Sequence, residues 1–325
     1  DGDGTCKHRI TCPYHAWSYQ LDGRLAAVPS EKTFPSLDKT QLGLKELELE
    51  VFCGLVFVRI AGSGPSIAEQ WGDLAKELAP YRIEEMVPAP AQLDGSMLVS
   101  EEWGCNWKVA LDNYLDNYHV PFGHPGLHRL MDNELACTIN RHGVSFSKSM
   151  IRERESHVWS ERAYQRLAPR AFADMPEAAR TTWVFGFMPV NIGFDVFPDS
   201  MDIFQILPKG PTKCVIRTPL FVRPDTRREA KVMQFLANRI NTQIGHEDKE
   251  LCERVQAGLS SHNYQPGPLS EYEMPVKDMH ARLREACPVV TLNERPMDGT
   301  VRRLNQDMLA EGASLSNASA IAAMV

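Results

Sequence analysis

Leu111-Asp112-Asn113-Tyr114-Leu115-Asp116-Asn117-Tyr118-His119-Val120-Pro121-Phe122-Gly123-His124 is the stretch on which the reading of this chain turns. It sets two histidines five apart, with a carboxylate three before the first. Trp107 to Tyr118 contains no Gly or Pro and reads as helix, where Asp116 and His119 share a face as an i,i+3 pair. Pro121 removes a backbone donor and restricts the residue before it, and Gly123 loosens the backbone just ahead of His124. The chain therefore turns before His124, and a turn can swing the second imidazole back towards the first. The N-x2-D-x2-H-x4-H spacing suits a mononuclear metal with two imidazole ligands, the third ligand being a carboxylate from elsewhere. Two histidines also fall this close by chance, so the stretch alone leaves a structural role open.

A second motif stands near the start. Cys12-Pro13-Tyr14-His15-Ala16-Trp17 is a C-x2-H pair preceded by Gly2-Asp3-Gly4. With this pair and the Asp/His run, the chain resembles the α (oxygenase) subunit of Rieske non-haem iron oxygenases, from residue 1 to about residue 285. The resemblance implies that Cys12 and His15 each supply one ligand to a [2Fe–2S] cluster. It implies that His119 and His124 belong to a two-histidine, one-carboxylate Fe(II) site. It also gives Asp116 a role, bridging His15 of a neighbouring subunit and His119, with Asn113 supporting the group. A carboxylate on the free imidazole N–H fixes tautomer and orientation. The bland alternative for Asp116 is a solvated helix contact.

The fold implied is α+β: a partial all-β Rieske domain over residues 1–61, then a helix-covered antiparallel-sheet catalytic domain of helix-grip type over 62–325. The resemblance further implies a homotrimer, with or without a β subunit. Electrons from NAD(P)H would arrive through a separate reductase, with or without a ferredoxin, and O2 would be activated at Fe(II) to hydroxylate a small organic substrate. An aromatic substrate is the first expectation, and a quaternary ammonium compound of the choline or carnitine kind the alternative. Mono- and dioxygenation both stay open.

Composition is ordinary for a soluble globular protein. The 325 residues suffice for two domains and a sizeable core. A net charge of −7 argues against nucleic acid as a partner. No apolar run is long enough to span a bilayer, and no signal peptide is visible. Eight scattered cysteines lack the density of a disulfide framework, so a reducing cytoplasm is the expected location.

The first sixty residues read as short strands. Ala16–Gln20 and Arg24–Val28 flank Asp22-Gly23, a hairpin signal, and Pro29–Lys39 reads as loop. Leu47–Phe52 alternates apolar and acidic residues like a half-buried strand, and the apolar run Leu55–Val58 predicts a more buried one. The family pattern places a C-x-H pair roughly fifteen to seventeen residues before the C-x2-H. Only eleven residues precede Cys12, so the Rieske domain is expected to be N-terminally truncated and its ligand set incomplete. Cys6 and His8 have the C-x-H form. They either sit on a hairpin strand or join Cys12 and His15 in a compact metal knuckle. The knuckle would make the chain a non-enzymatic ligand-binding module with structural zinc.

Further along, Gly62-Ser63-Gly64-Pro65 marks a boundary, and Ser66–Glu69 has the form of a capping box. Ile67, Trp71, Leu74 and Leu78 predict one helix ended by Pro80. Gly143–Trp159 and Thr181–Pro224 carry strand signals, with runs at 183–187, 192–197, 201–207 and 214–222 that predict an antiparallel meander. Helix resumes at about Arg227 and runs towards Leu259, and from Asn305 the chain reads as a weakly packed tail. The missing carboxylate is sought in that long helix. Asp248 lies one turn before Leu251 and Cys252, on an apolar stripe with Val255 and Leu259. A carboxylate there is costly unless paired or metal-bound. Asp248 is the favoured metal ligand, Glu247 its nearest rival, and a helix N-cap the structural alternative.

Overall fold

The structure is a computed structural model that describes residues 5–60, 62–90, 99–133 and 137–311. Its contacts divide the chain into two compact units, Asp1–Ile67 and Ala68–Val325. In the first, β1 (Arg9–Thr11), β2 (Ser18–Gln20) and β3 (Leu25–Ala27) form a three-stranded antiparallel sheet. The β2–β3 turn falls at Asp22-Gly23, where the Asp22 carboxylate accepts the Arg24 N–H at 3.1 Å. Cys6 and His8 precede β1 and are exposed rather than lying on a strand.

β4 (Glu48–Phe52) and β5 (Leu55–Arg59) pair as a hairpin. Its two turn residues, Cys53 and Gly54, both have positive φ, the conformation that matches strand twist in a two-residue loop. The expectation of a more buried β5 is corrected here. Leu49, Val51, Val56 and Val58 are all exposed, and the register pairs Leu49 with Val58 and Val51 with Val56. Directly opposed residues share a face, so both strands present their β-branched residues outward together. Glu50 points the other way, and its carboxylate accepts the Ile67 N–H at 3.0 and 2.9 Å.

The helix expected over Ile67–Leu78 is two helices, α1 (Ile67–Trp71) and α2 (Asp73–Leu78), because Gly72 takes a positive φ of 53°. Trp71, Leu74 and Leu78 are nonetheless buried, and Trp71 stacks on Phe194 with centroids 5.0 Å apart.

The second unit is built on a ten-stranded antiparallel sheet. Its strands are β6 (Val87–Pro88), β7 (Val99–Trp103), β8 (Met131–Asn133), β9 (Thr138–Ile139), β10 (Ser145–Ile151), β11 (Thr182–Met188), β12 (Ile192–Val196), β13 (Ser200–Gly210), β14 (Lys213–Thr218) and β15 (Leu220–Val222). They run in the order β6-β15-β13-β12-β11-β10-β8, with β14 joining β13 to β7 and β9 on β10. The expected run 214–222 is two strands, because Pro219 cannot donate to a ladder. β14 and β15 then pair with different halves of β13.

The helices are α3 (Trp107–Leu115), α4 (Val120–Gly123), α5 (Pro125–Leu130), α6 (Trp159–Ala171), α7 (Glu177–Arg180), α8 (Arg228–Leu259), α9 (Met274–Ala286) and α10 (Val301–Ala310). Two expectations need correcting. Trp159 opens a helix instead of closing a strand region, and Val301–Ala310 is helical across the start of the expected tail, though it buries no residue. Residues 312–325 of that tail lie outside the described residues.

One core fixes α3. Val109, Ala110, Leu111 and Leu115 pack with Phe187, Ile206, Cys214 and Ile216 of the sheet, Cys252 of α8, and Val276 and Met279 of α9. Leu111 is 0% exposed. Truncating it leaves a cavity that three elements must collapse into, so Leu111→Ala is expected to cost about 2–5 kcal/mol. Urea denaturation checks this, and a loss below about 1 kcal/mol would show a core loose enough to repack.

Candidate metal centre

α3 begins at an Asn106 cap, whose side chain accepts the Lys108 N–H at 3.0 Å. It ends at Leu115, earlier than the expected Tyr118. The cause is Asp116. Its Oδ1 accepts the backbone N–H of Tyr118 at 2.5 Å and of His119 at 3.3 Å, an Asx-type turn that outcompetes the next helical turn. Asp116 and His119 are therefore neighbours through a turn and not across a helix face. Asp116 Oδ2 stands 3.3 Å from His119 Nδ1.

The short helix α4 then reverses the chain. Pro121 sits in its first turn, where a missing N–H is not needed. A Cβ on Gly123 would lie 3.0 Å from both His119 Cδ2 and Leu251 Cδ1, so a side chain there would press on the ligand histidine and on Leu251. The turn brings His124 Nε2 to 3.1 Å from His119 Nε2.

α8 supplies the carboxylate. Asp248 Oδ1 is 3.0 Å from His124 Nε2 and 3.5 Å from His119 Nε2. Asp248 sits mid-helix, which removes the N-cap alternative. The stripe on which it was expected to lie is only partly buried: Cys252 is in the core, whereas Val255 and Leu259 are 51% and 36% exposed. Polar clips hold the helix in register instead. Glu253 Oε1 accepts the Gly104 N–H at 2.9 Å, and Gln256 Oε1 accepts the Asn106 N–H at 2.7 Å. The Cys252-Glu253-x-Val255-Gln256 stretch thus ties α8 to the start of the helix that leads to the histidines.

Glu247 is placed behind the histidine rather than beside it. Its Oε2 is 2.9 Å from His124 Nδ1, so Nδ1–H donates there and Nε2 presents its lone pair inward. Asn113 Nδ2 lies 3.4 Å from His119 Nε2. Burial disfavours charge on His119, yet Asp116 and Asp248 outweigh it and raise this histidine to about 9. His124 is raised in the same way, against burial, by Asp248 and Glu247. Burial raises the Asp248 carboxyl, but the two imidazoles hold it below the usual range. The electrostatics favour positive charge at the centre of the three donor atoms.

The donor set fits a metal. Asp248 Oδ1 is buried without a hydrogen-bond donor. The three donor atoms are 3.0, 3.1 and 3.5 Å apart. Metal–ligand bonds of about 2.1 Å at right angles give edges of about 3.0 Å. Among the described residues, His119, His124 and Asp248 are the one such cluster of His, Cys, Asp or Glu. The zinc knuckle does not assemble. Cys6, His8, Cys12 and His15 are all exposed and form no such cluster.

A cavity of ≈ 100 Å³ opens on the triad, and Tyr114, Ser147, Phe185 and Asp195 contribute to its wall. None of these four was singled out from the sequence. Tyr114 is held in place by Gly193, where an added Cβ would come within 2.2 Å of the ring. His280 Nε2 bonds Asp112 Oδ1 at 2.7 Å.

Comparison with known proteins gives the same class. The family description "Ring hydroxylating alpha subunit (catalytic domain)" matches residues 88–288, and "Rieske [2Fe-2S] domain" matches residues 1–42. The chain belongs to the ring-hydroxylating oxygenase α-subunit family. The chloroplastic choline monooxygenase of Arabidopsis thaliana is 29% identical over 285 residues, covering 85% of this chain and 63% of that protein. This chain thus spans about three-fifths of the relative's length. The quaternary ammonium Rieske monooxygenase CntA shares the fold at a TM-score of 0.65, with 21% identity over 87% of this chain and 74% of the other. Naphthalene 1,2-dioxygenase does so at 0.62, with 17% identity and the same coverages. No helix among the described residues is long and apolar enough to cross a membrane.

Proposed function

We propose that the chain is the oxygenase component of a Rieske monooxygenase acting on a small quaternary ammonium compound. The observation that carries the oxygenase reading is the convergence of His119 Nε2, His124 Nε2 and Asp248 Oδ1 at one point. Fe(II) held by these three would supply reductive activation of O2. Two imidazoles and one carboxylate leave open positions for O2, and the adjoining cavity leaves room for the substrate beside it.

Around that centre the protein's own groups orient the ligands. Glu247 and Asp116 fix the imidazole rings. Electrons would come from NAD(P)H through a separate reductase, with or without a ferredoxin, to a [2Fe–2S] cluster with Cys12 and His15 among its ligands. In a homotrimer, His15 of one subunit would face Asp116 of the next. A cytoplasmic setting belongs to the same proposal, with or without a β subunit.

The relatives shift the substrate from the aromatic first expectation to its alternative. Choline monooxygenase is 29% identical over 285 residues, whereas the likeness to naphthalene 1,2-dioxygenase is one of fold. The cavity also sits below the range of about 300–1,000 Å³ typical of drug-sized ligands. The test begins with anaerobic purification and iron, zinc and sulfide analysis. It continues with reductase-coupled NAD(P)H oxidation in the presence of choline, carnitine, benzoate or naphthalene. Iron at the triad with oxidation stimulated by the ammonium compounds is expected. Zinc in place of iron would overturn the oxygenase reading, and stimulation by the aromatics alone would restore the aromatic one.

A further inference from the structure

Four residues lie in one row across the sheet. Ser147 on β10 is opposite Phe185 on β11, Phe185 is opposite Asp195 on β12, and Asp195 is opposite Asp202 on β13. Opposed residues in antiparallel strands share a face. Three of the four reach the cavity that opens on the metal triad, with Asp202 directly behind Asp195. Two adjacent carboxyl groups on a covered face are an expensive arrangement for ordinary structure.

Their partners do not compensate that charge. Asp195 Oδ1 accepts a hydrogen bond from the Tyr114 hydroxyl at 2.8 Å, and Asp202 Oδ2 has only Asn241 Nδ2 at 3.5 Å. Neither carboxylate forms an ion pair among the described residues. The cavity wall includes three carboxylates, Asp116, Asp195 and Asp248, and no Lys or Arg. A divalent metal on the triad accounts for Asp248, and Asp116 faces an imidazole. Asp195 is left over. Burial above all pushes its carboxyl up to about 7.

We infer that Asp195, with the Phe185 ring beside it, selects a positively charged substrate headgroup in this cavity. A cation supplies the charge the wall lacks and meets an aromatic face at the same time. An anionic substrate is repelled, and a neutral one gains nothing from the carboxylate. Tyr114 is a positioning residue for Asp195, and Gly193 gives Tyr114 its place. The inference rests on the quaternary ammonium reading and gives it a residue.

Binding of choline and of 3,3-dimethylbutan-1-ol, its uncharged isostere, separates charge recognition from shape. Isothermal titration of the anaerobic protein without reductase is expected to show choline bound at least about tenfold more tightly. Asp195→Asn removes that preference and leaves the isostere unchanged. Tyr114→Phe, which removes the hydroxyl that positions the carboxylate, narrows the preference without abolishing it. Equal affinity for the two ligands in the unaltered protein overturns the inference. So does an equal loss of both in Asp195→Asn, which marks a structural role. Iron measured on the same samples keeps the two readings apart. Iron without charge preference sinks this inference alone, and charge preference without iron sinks the oxygenase reading alone.

Discussion

Asp248→Ala is expected to yield a folded chain that retains no iron at the catalytic site. The two imidazoles alone offer neutral donors in a half-buried pocket, and the one carboxylate that balances a divalent charge there is Asp248. Its neighbour cannot take over. Consecutive helix residues project about 100° apart, since a turn holds 3.6 residues. Glu247 accordingly reaches the far nitrogen of His124, Nδ1, while Asp248 reaches Nε2. Glu247→Ala should therefore weaken iron binding by about 10–100-fold, the usual cost of freeing a ligand's outer hydrogen bond, and not abolish it. Metal analysis after anaerobic purification, with iron supplied in limiting and saturating amounts, reads both variants. Stoichiometric iron in Asp248→Ala together with none in Glu247→Ala would reverse the two assignments.

The contrast between these adjacent acids shows how much of the site a sequence can carry. The stripe on α8 and the resemblance to the family's carboxylate ligand ranked Asp248 first, with Glu247 as its rival. What spacing could not display is which nitrogen each acid reaches, since that depends on how α8 is set against the His119–His124 turn. Glu253 and Gln256 set it, through backbone groups some 150 residues away in sequence. The meander was legible because its short strand-forming runs are punctuated by Pro, Gly, Asn and Asp. α6 was not, because polar residues share its covered face with Tyr164, Ala168 and Ala171. Glu161 there pairs with Arg129 and bonds Ser156, and Gln165 accepts the Ser156 N–H, so the apolar stripe is narrow and interrupted. The early end of α3 escaped for a related reason. Helix propensity is local, whereas the Asp116 side chain captures two N–H groups that the helix would have used. The row Ser147–Phe185–Asp195 was the least accessible of all. Each residue looks ordinary within its own strand, and only the pairing register aligns them.

Asp116→Asn is expected to separate iron binding from turnover. The carboxylate does two things here: Oδ1 ties the turn through the Tyr118 and His119 N–H groups, and Oδ2 faces His119 Nδ1. An asparagine of the same shape can keep its carbonyl oxygen on those N–H groups, so the turn and the two ligand histidines stay in place. Its amide then meets Nδ1 as a donor, and the charge that steadies a proton there is gone. Iron affinity should fall by no more than about 100-fold, and saturating iron should still load the site. Reductase-coupled turnover should fall further, by at least about 100-fold. The proposed bridge between His15 of one subunit and His119 of the next needs a group that accepts on both sides, and an amide donates on one. The decisive reading is the rate at which a reduced cluster is reoxidised on mixing with O2 and substrate, in protein that carries its complete cluster. A slow rate with full iron occupancy places Asp116 on the electron path. An unchanged rate would reduce it to a turn-forming residue, with His119 held by geometry alone.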